Sequence, residues 1–525
     1  MTITPSTAPD PGMRLRKLIT LIVVSASTFM LPLDYTIVAV ALHDIQQSLD
    51  ASFIDLQWVI NGYTLAFAAF VLASGSLADL FGRRRVFLIG MVVFGLSSLV
   101  SGLAPTPLAL NLGRAALGLG AALMFAAALP LLVVEFEGAE RARAFGVFGA
   151  VVGIGAALGP FLGGIIIGAL GWRWAFLVNV PVIVVLVALT VFKVRESRDP
   201  NARGVDWGGL VSFTLFCFSF FYAVINGNDA GWTSNGIVAS FVAAAMLLAA
   251  FIAIELRHHY PMFDLSLFRS ATFVGASTPP IVLSIAFWGP FLYFPMYYQS
   301  ALGYSPLQAG AAVLPFAIPL FVMGPVGGWL ASRISSRALL ALGQALVGIG
   351  ALLMLFPGAD ATWRAFAFGA LVSGTGAGLI NGEMTNVALS LVPPERSGMA
   401  SGINSTARQV GVAIGFAGLG ALLANTIADG FVSSMGGDPI GQRLVALVVK
   451  GDLVRAVAAA PASMRDLVQT AAQTAVFHGF QAILIVAGVV GLAGAAFSYA
   501  TVRRVLPMSS STPLDCALVK SSVAH

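Results

Sequence analysis

About fourteen stretches of this chain stay apolar for the ~20 residues that a helix needs to cross a bilayer core, and most charged residues lie between them. The runs fall near 18–41, 56–78, 86–104, 107–134, 144–168, 174–192, 207–226, 237–256, 272–294, 307–331, 338–356, 364–391, 400–424 and 476–501. In lipid a backbone must satisfy its own hydrogen bonds, and a helix does so within one segment. The pattern therefore predicts an all-α integral membrane protein. With 58% hydrophobic and only 10% charged residues, a soluble domain of this length is excluded.

Charge orients the stack. Alternate loops carry Arg14, Arg16 and Lys17, then Arg83 to Arg85, Arg141 and Arg143, Lys193 to Arg203, Arg333 and Arg337, Arg396, and Arg503 with Arg504. The short loops opposite carry few, Arg173 and Arg364 among them. The positive-inside rule then predicts both termini on the cytoplasmic face of the cell (inner) membrane and an even number of crossings. The net charge of +5 reflects this topology, and its spread over many loops argues against a nucleic-acid partner. Residues 1–13 lack a cleavage site after a short apolar core, so the first helix is expected to remain as an anchor. Cys217 and Cys516 imply no disulfide framework.

The chain repeats itself. GSLADLFGRRR (75–85) returns as GWLASRISSR (328–337), with Gly75, Leu77, Ala78 and Arg84 matched by Gly328, Leu330, Ala331 and Arg337. Asp79 and Gly82 become Ser332 and Ser335 in the copy. A second pair, 118–141 and 374–396, ends both times in an acidic-Arg turn. The copies stand 253 and 256 positions apart, about fifty more than six helices and their loops require. The surplus fits one extra hairpin. The expected organisation is a tail (1–17), a six-helix half (18–194), a linker (195–206), an inserted pair (207–256), a second half (257–504) with an external loop (425–475), and a tail (505–525).

The first motif, LDYTIVAVAL in the first helix, WRWAFLVNVP (172–181) at the sixth and the Gly-Pro helix GIGAALGPFLGG (153–164) fall in one order. In this arrangement the chain resembles the fourteen-helix drug:proton antiporter family of the major facilitator superfamily, over most of 17–425. That resemblance implies the major facilitator fold, proton-driven export, and protons in place of any cofactor.

Asp34 is the sharpest candidate, because an ionisable group inside a membrane helix is costly unless it faces a cavity or a partner. Pro32 just before it weakens the helix ladder. Counting ~1.5 Å per residue places Asp34 about 25 Å from the inner end, and Arg114 in the fourth helix at a similar depth. The two are expected to communicate, with protonation of Asp34 weakening the link. The matching family motif carries an aspartate implicated in proton or cation coupling. The family pattern has an amide where this chain has Leu117, which removes one member of the usual relay. The alternatives are an interfacial Asp34 and an Arg114 that snorkels to the headgroups.

Glu383, about 12 Å deep in the twelfth helix and flanked by Asn381 and Asn386, is placed to bind a cationic substrate or a proton; the alternative is a hydrated acid without a role. Trp58, Asn61 and Tyr63 are expected to line the substrate cavity, although such residues also anchor helix ends. Gly75, Asp79, Gly82, Arg83 and Arg84 read as a conformational switch: Asp79 is unfavourable at its own helix C-terminus and favourable where an Arg or another helix N-terminus meets it. Gly155, Gly159, Gly163 and Gly164 permit close helix contact, and Pro160 removes a donor; the resemblance assigns them to an antiporter motif. Arg408 and Gln409 match a second-half family motif, with snorkelling as the rival reading. His258 and His259 read as solvated loop residues. Amphipathic patches in 443–475 suit either an outer-surface helix or a gate.

No GxxxxGK[ST] motif, metal cluster or nucleophile motif points to ATP hydrolysis or a membrane enzyme. The leading expectation is proton-coupled export of amphipathic, drug-like and possibly cationic compounds, needing lipid and no obligate protein partner. Export of a single endogenous metabolite or antibiotic is the rival, and a transport-inactive receptor the third reading.

Overall fold

The computed structural model describes residues 11–136, 138–198, 204, 206–257, 265–331, 333–358, 362–391, 397–436 and 438–502; among them every apolar run is helical and no strand occurs. The helices are α1 (Pro11–Leu49), α2 (Phe53–Phe81), α3 (Arg83–Gly102), α4 (Pro107–Glu135), α5 (Gly138–Leu170), α6 (Trp174–Lys193) and the inserted α7 (Trp207–Ala230) and α8 (Asn235–Arg257). The second half follows as α9 (Ala271–Ser300), α10 (Leu314–Ala331), α11 (Ser336–Leu353), α12 (Trp363–Ser390), α13 (Ser397–Ser434) and α14 (Arg465–Thr501). Thirteen of them carry a described apolar span long enough to cross a membrane, and the 33-residue α5 supplies the fourteenth. Both ends of the bundle chain therefore emerge on one side, called here the terminal side.

Local chemistry sets the boundaries. Ser52 caps α2 and exchanges hydrogen bonds with Asp55 in a capping box, and Thr106 caps α4 just before Pro107. Gly82 turns the chain between α2 and α3 at φ 107°, a backbone conformation that suits glycine.

The internal repeat is visible in the packing. Within the first half α4 packs on α2 and α3, and α5 on α1; within the second, α12 packs on α10 and α11, and α13 on α9. Close helix crossings also recur at the sequence offsets. A Cβ added to Gly90 of α3 would lie 2.9 Å from the Gly120 carbonyl of α4, and one on Gly343 of α11 would lie 2.8 Å from the Gly376 carbonyl of α12. These pairs are 253 and 256 positions apart, the two spacings of the sequence motifs. The inserted α7 and α8 pack on each other, and α7 lies against α2 and α13, one helix from each half.

Two expectations need correction. The loop expected at 425–475 is shorter, because α13 continues to Ser434 and α14 begins at Arg465. Between them lie two short helices, Pro439–Val449 and Leu453–Ala459; the first buries Leu444 and Val448 against the bundle instead of lying free on its surface.

The halves close against each other on the far side. Tyr35 meets Trp288 edge-on at 6.3 Å, Gln299 donates to the Val40 carbonyl at 2.9 Å, and Arg455 approaches Asp50 at 3.9 Å. Nearer the middle of the bundle, Thr406 Oγ1 donates to the Ala68 carbonyl across the halves at 3.5 Å.

Candidate functional site

Asp34 and Arg114 form an ion pair in the middle of the first half. Arg114 Nη1 donates to Asp34 Oδ2 at 2.5 Å, and both side chains are completely buried. A buried guanidinium needs more than one partner, and the fold supplies them. Arg114 Nε donates to the Val59 carbonyl at 2.8 Å, while Tyr63 and Phe176 present their rings at 4.6 and 5.7 Å. The other carboxylate oxygen of Asp34 accepts from Asn179 Nδ2 at 3.1 Å, and that amide also reaches Ser98 Oγ at 3.3 Å. Arg114 Nη2 has no hydrogen-bond partner. Snorkelling is thus excluded for Arg114 by its burial and its contacts.

Sequence reasoning did not single out Asn179. An amide just after WRWAFLV, where α6 restarts at its second segment Asn179–Lys193, was the available signal. The spacing alone could not reveal that α6 brings it to α1.

The pair is wired to the second half by aromatic rings. Tyr63 covers the Arg114 guanidinium and stacks on Tyr35 at 6.3 Å, and Tyr35 meets Trp288 of α9. Trp288 closes a single π-helical turn, Ser284–Trp288, of the kind that interrupts helices at functional positions.

The Gly-Pro helix supports the same region. Gly155, Gly159 and Gly163 lie four apart on the face of α5 toward α1, where added Cβ atoms would meet the Phe29 carbonyl at 2.7 Å, Thr36 Cβ at 2.8 Å and Ile37 Cα at 3.1 Å. The Asp34 segment of α1 is therefore held by direct backbone contact. Gly164 faces the other way, where an added Cβ would lie 2.7 Å from the Pro306 carbonyl of the second half, and the Pro160 carbonyl lies against Gly310. One helix thus touches both the ion pair's own helix and the opposite half.

The switch motif folds into a charged knot on the terminal side. Asp79 Oδ1 accepts from Arg83 Nε at 3.0 Å and Nη2 at 2.9 Å, so the acid at the helix C-terminus meets an arginine of its own turn. Glu196, after α6, completes the knot. Its carboxylate accepts from the Arg84 amide at 3.1 Å and faces Arg85 at 3.7 Å, while Arg84 Nη2 donates to the Val191 carbonyl at 2.5 Å. The Glu196 carboxylate fills the space beside Gly82 that a side chain would occupy. Gly75 has open space around it. Glu196 was not a sequence candidate, since nothing in a linker acid indicates its partner.

The remaining candidates separate. Trp58 stacks on Phe218 of α7 at 6.4 Å, where the inserted pair packs against α2. Tyr63 is 3% exposed and belongs to the ion-pair cluster. Asn61 is fully buried with neither amide atom paired. Glu383 is 5% exposed; its Oε2 accepts from Asn386 Nδ2 at 3.1 Å and its Oε1 has no partner, while Asn381 and Asn386 are exposed. Arg408 and Gln409 are half-buried. Arg408 stands about 16 Å along α13 from Ser397, too deep for an end-of-helix residue, and its carbonyl accepts from Ser284 Oγ beside the π-helical turn at 2.8 Å. Among the described residues no group of His, Cys, Asp and Glu could hold a metal ion, and His258 and His259 lie outside them.

Comparison with known proteins places this geometry. Residues 24–416 match the Major Facilitator Superfamily. The chain is 38% identical over 409 residues to the multidrug resistance protein Stp of Mycobacterium tuberculosis, covering 78% of this chain and 76% of that one. It is 33% identical over 424 residues to the tetracenomycin C resistance and export protein of Streptomyces glaucescens, covering 81% and 79%. With the puromycin resistance protein pur8 of Streptomyces alboniger it shares 35% identity over 431 residues, covering 80% and 83%. Among solved structures, a bacterial homologue of the human lysosomal transporter Spinster, crystallised inward-facing and unoccupied, matches with a TM-score of 0.65 at 15% identity, covering 94% of this chain and 98% of that one.

Proposed function

The chain belongs to the Major Facilitator Superfamily and is a multi-pass secondary transporter of the drug-export type, and from that premise we propose that it exchanges protons for amphipathic compounds across the cell membrane. Both termini are cytoplasmic, as the distribution of Arg and Lys supports, so closure on the far side corresponds to an inward-open state. The observation that carries the reading is the Asp34–Arg114 pair, an acid and a base held at 2.5 Å with both side chains completely buried among membrane-spanning helices.

The cycle follows from the contacts. Ionised Asp34 holds Arg114 and, through Tyr63 and Tyr35, the Trp288 face of α9. In the outward-open arrangement a proton from outside neutralises the acid and the protonated carrier returns inward, the far-side clamp tightening only once that proton has left. Substrate enters from the cytoplasmic side between largely apolar walls, where Glu383 and Arg408 supply charge of either sign. Release of the proton to the cytoplasm reforms the pair and resets the carrier. Breadth of substrate comes from the apolar lining, and energy from the proton.

The relatives' resistance and export names support drug-like substrates over a single metabolite. The test is overexpression in an efflux-deficient bacterium challenged with a panel that includes puromycin, with dye efflux measured before and after a protonophore. Raised tolerance together with protonophore-sensitive efflux is expected. Unchanged tolerance across cationic, neutral and acidic compounds would remove the export reading, and efflux insensitive to the protonophore would remove proton coupling.

A further inference from the structure

On the far side, α2, α13, the inserted α7 and the short helix Pro439–Val449 enclose a cavity of about 300 Å³. Phe53 and Ile54 of α2, Ile225 of α7 and Val445 of the short helix form apolar walls. Two polar side chains join the lining. Gln57, 3% exposed, bonds to the Tyr293 hydroxyl, while its Oε1 has no partner. Lys450, just after the short helix, is half-buried and without an ion-pair partner among the described residues; Asp50 and Asp452 are both engaged by Arg455, at 3.9 and 3.4 Å. One turn deeper on the same face of α2, Asn61 leaves both amide atoms unpaired. Buried amides without partners are rare and costly, and they call for a ligand or for a partner in another state.

We propose that this cavity is an exit-side binding site for the exported compound. Its occupant is an amphipath whose apolar body fills the seam between α2, α7 and α13. A hydroxyl or amine proton on that body reaches Gln57 Oε1, which is sealed in this state, once the amide turns toward the cavity, and an acidic or other acceptor group faces Lys450. The volume, at the lower end of small-molecule pockets, suits one compact ring system. Asn61 continues the polar stripe inward, toward the level where Thr406 meets Ala68, so the compound leaves along the α2–α13 seam as the halves part. The short helix is the roof, which gives the far-side loop a gating role. The inserted pair supplies one wall that a twelve-helix carrier would lack. The assignment rests on the export reading above.

The test uses the full chain with Cys217→Ala and Cys516→Ala, carrying Ala424→Cys at the half-buried cavity wall, reconstituted in phosphatidylcholine vesicles. The probe is 8-anilinonaphthalene-1-sulfonate, which joins an aryl amine donor and a sulfonate on an apolar body. It should slow maleimide labelling of residue 424. Gln57→Leu should raise the half-protecting concentration about fivefold, the effect of losing one neutral hydrogen bond, and Lys450→Gln should weaken protection more at low salt than at high. An unchanged labelling rate with the probe present overturns the site. Slower labelling caused by added phosphatidylglycerol alone assigns the cavity to a lipid headgroup and also overturns it. Substrate flux in the same vesicles separates the two readings: flux without protection removes this site and leaves export standing, whereas protection without flux removes its role in export.

Discussion

Replacing Asp34 by Asn removes one charge from a pair whose partner stays buried, and the structure says what each surviving group can do. The amide oxygen can still accept from Arg114 Nη1 or from Asn179, but its NH2 then faces one of these two donors. Removing one partner of a buried pair costs about 3–5 kcal/mol, and the near-isosteric amide together with the Tyr63 ring should hold the loss toward the lower end. The variant should therefore still insert and fold with a lower melting temperature. Transport is the sharper readout. One carboxylate carries one proton, and a pH difference of one unit is worth about 1.4 kcal/mol, so a single coupled proton sustains about a tenfold gradient of a neutral substrate. In proteoliposomes with an imposed pH step, the wild type should build that gradient and Asp34→Asn should build none, while downhill substrate exchange continues. A gradient in the variant comparable to wild type would refute the assignment of coupling to Asp34, whatever its effect on stability.

Glu383→Gln keeps the bond to Asn386 and removes the charge, so tolerance to lipophilic cations should fall more than tolerance to neutral compounds in a growth-inhibition panel; equal losses would point to packing. Gly159→Ala forces a Cβ within 2.8 Å of Thr36 Cβ, which should destabilise the fold by about 1–3 kcal/mol in thermal unfolding; an unchanged melting temperature would show that α1 and α5 can part freely. Asp79→Ala and Glu196→Gln each open the terminal-side knot, and both should shift inter-spin distances between the halves and slow turnover more than they weaken substrate binding. Wild-type distances and turnover in both variants would reduce the motif to a folding device.

Much of the fold was legible because hydrophobicity is a local property. Apolar run length placed fourteen crossings, and the 253 and 256 spacings announced two related halves before Gly90–Gly120 and Gly343–Gly376 were seen to cross alike. Asp34 and Arg114 stood out because charge inside a membrane helix is costly wherever it points. The stack of Trp58 on Phe218 was not legible, because an indole looks the same in sequence whatever it packs on, and only the seat of the inserted pair supplies the partner.

The sequence by itself determined what must be in the membrane, how often the chain crosses it, and which ionisable groups demand partners. Only the tertiary structure decided who those partners are. Asn179 reaches Asp34 across 145 positions, Glu196 reaches Arg84 across 112, and the chain from Arg114 through Tyr63 and Tyr35 to Trp288 draws on four helices. Partner choice is a matter of helix rotation and crossing, which glycine contacts and ridge packing set over the whole bundle, and no single segment encodes it.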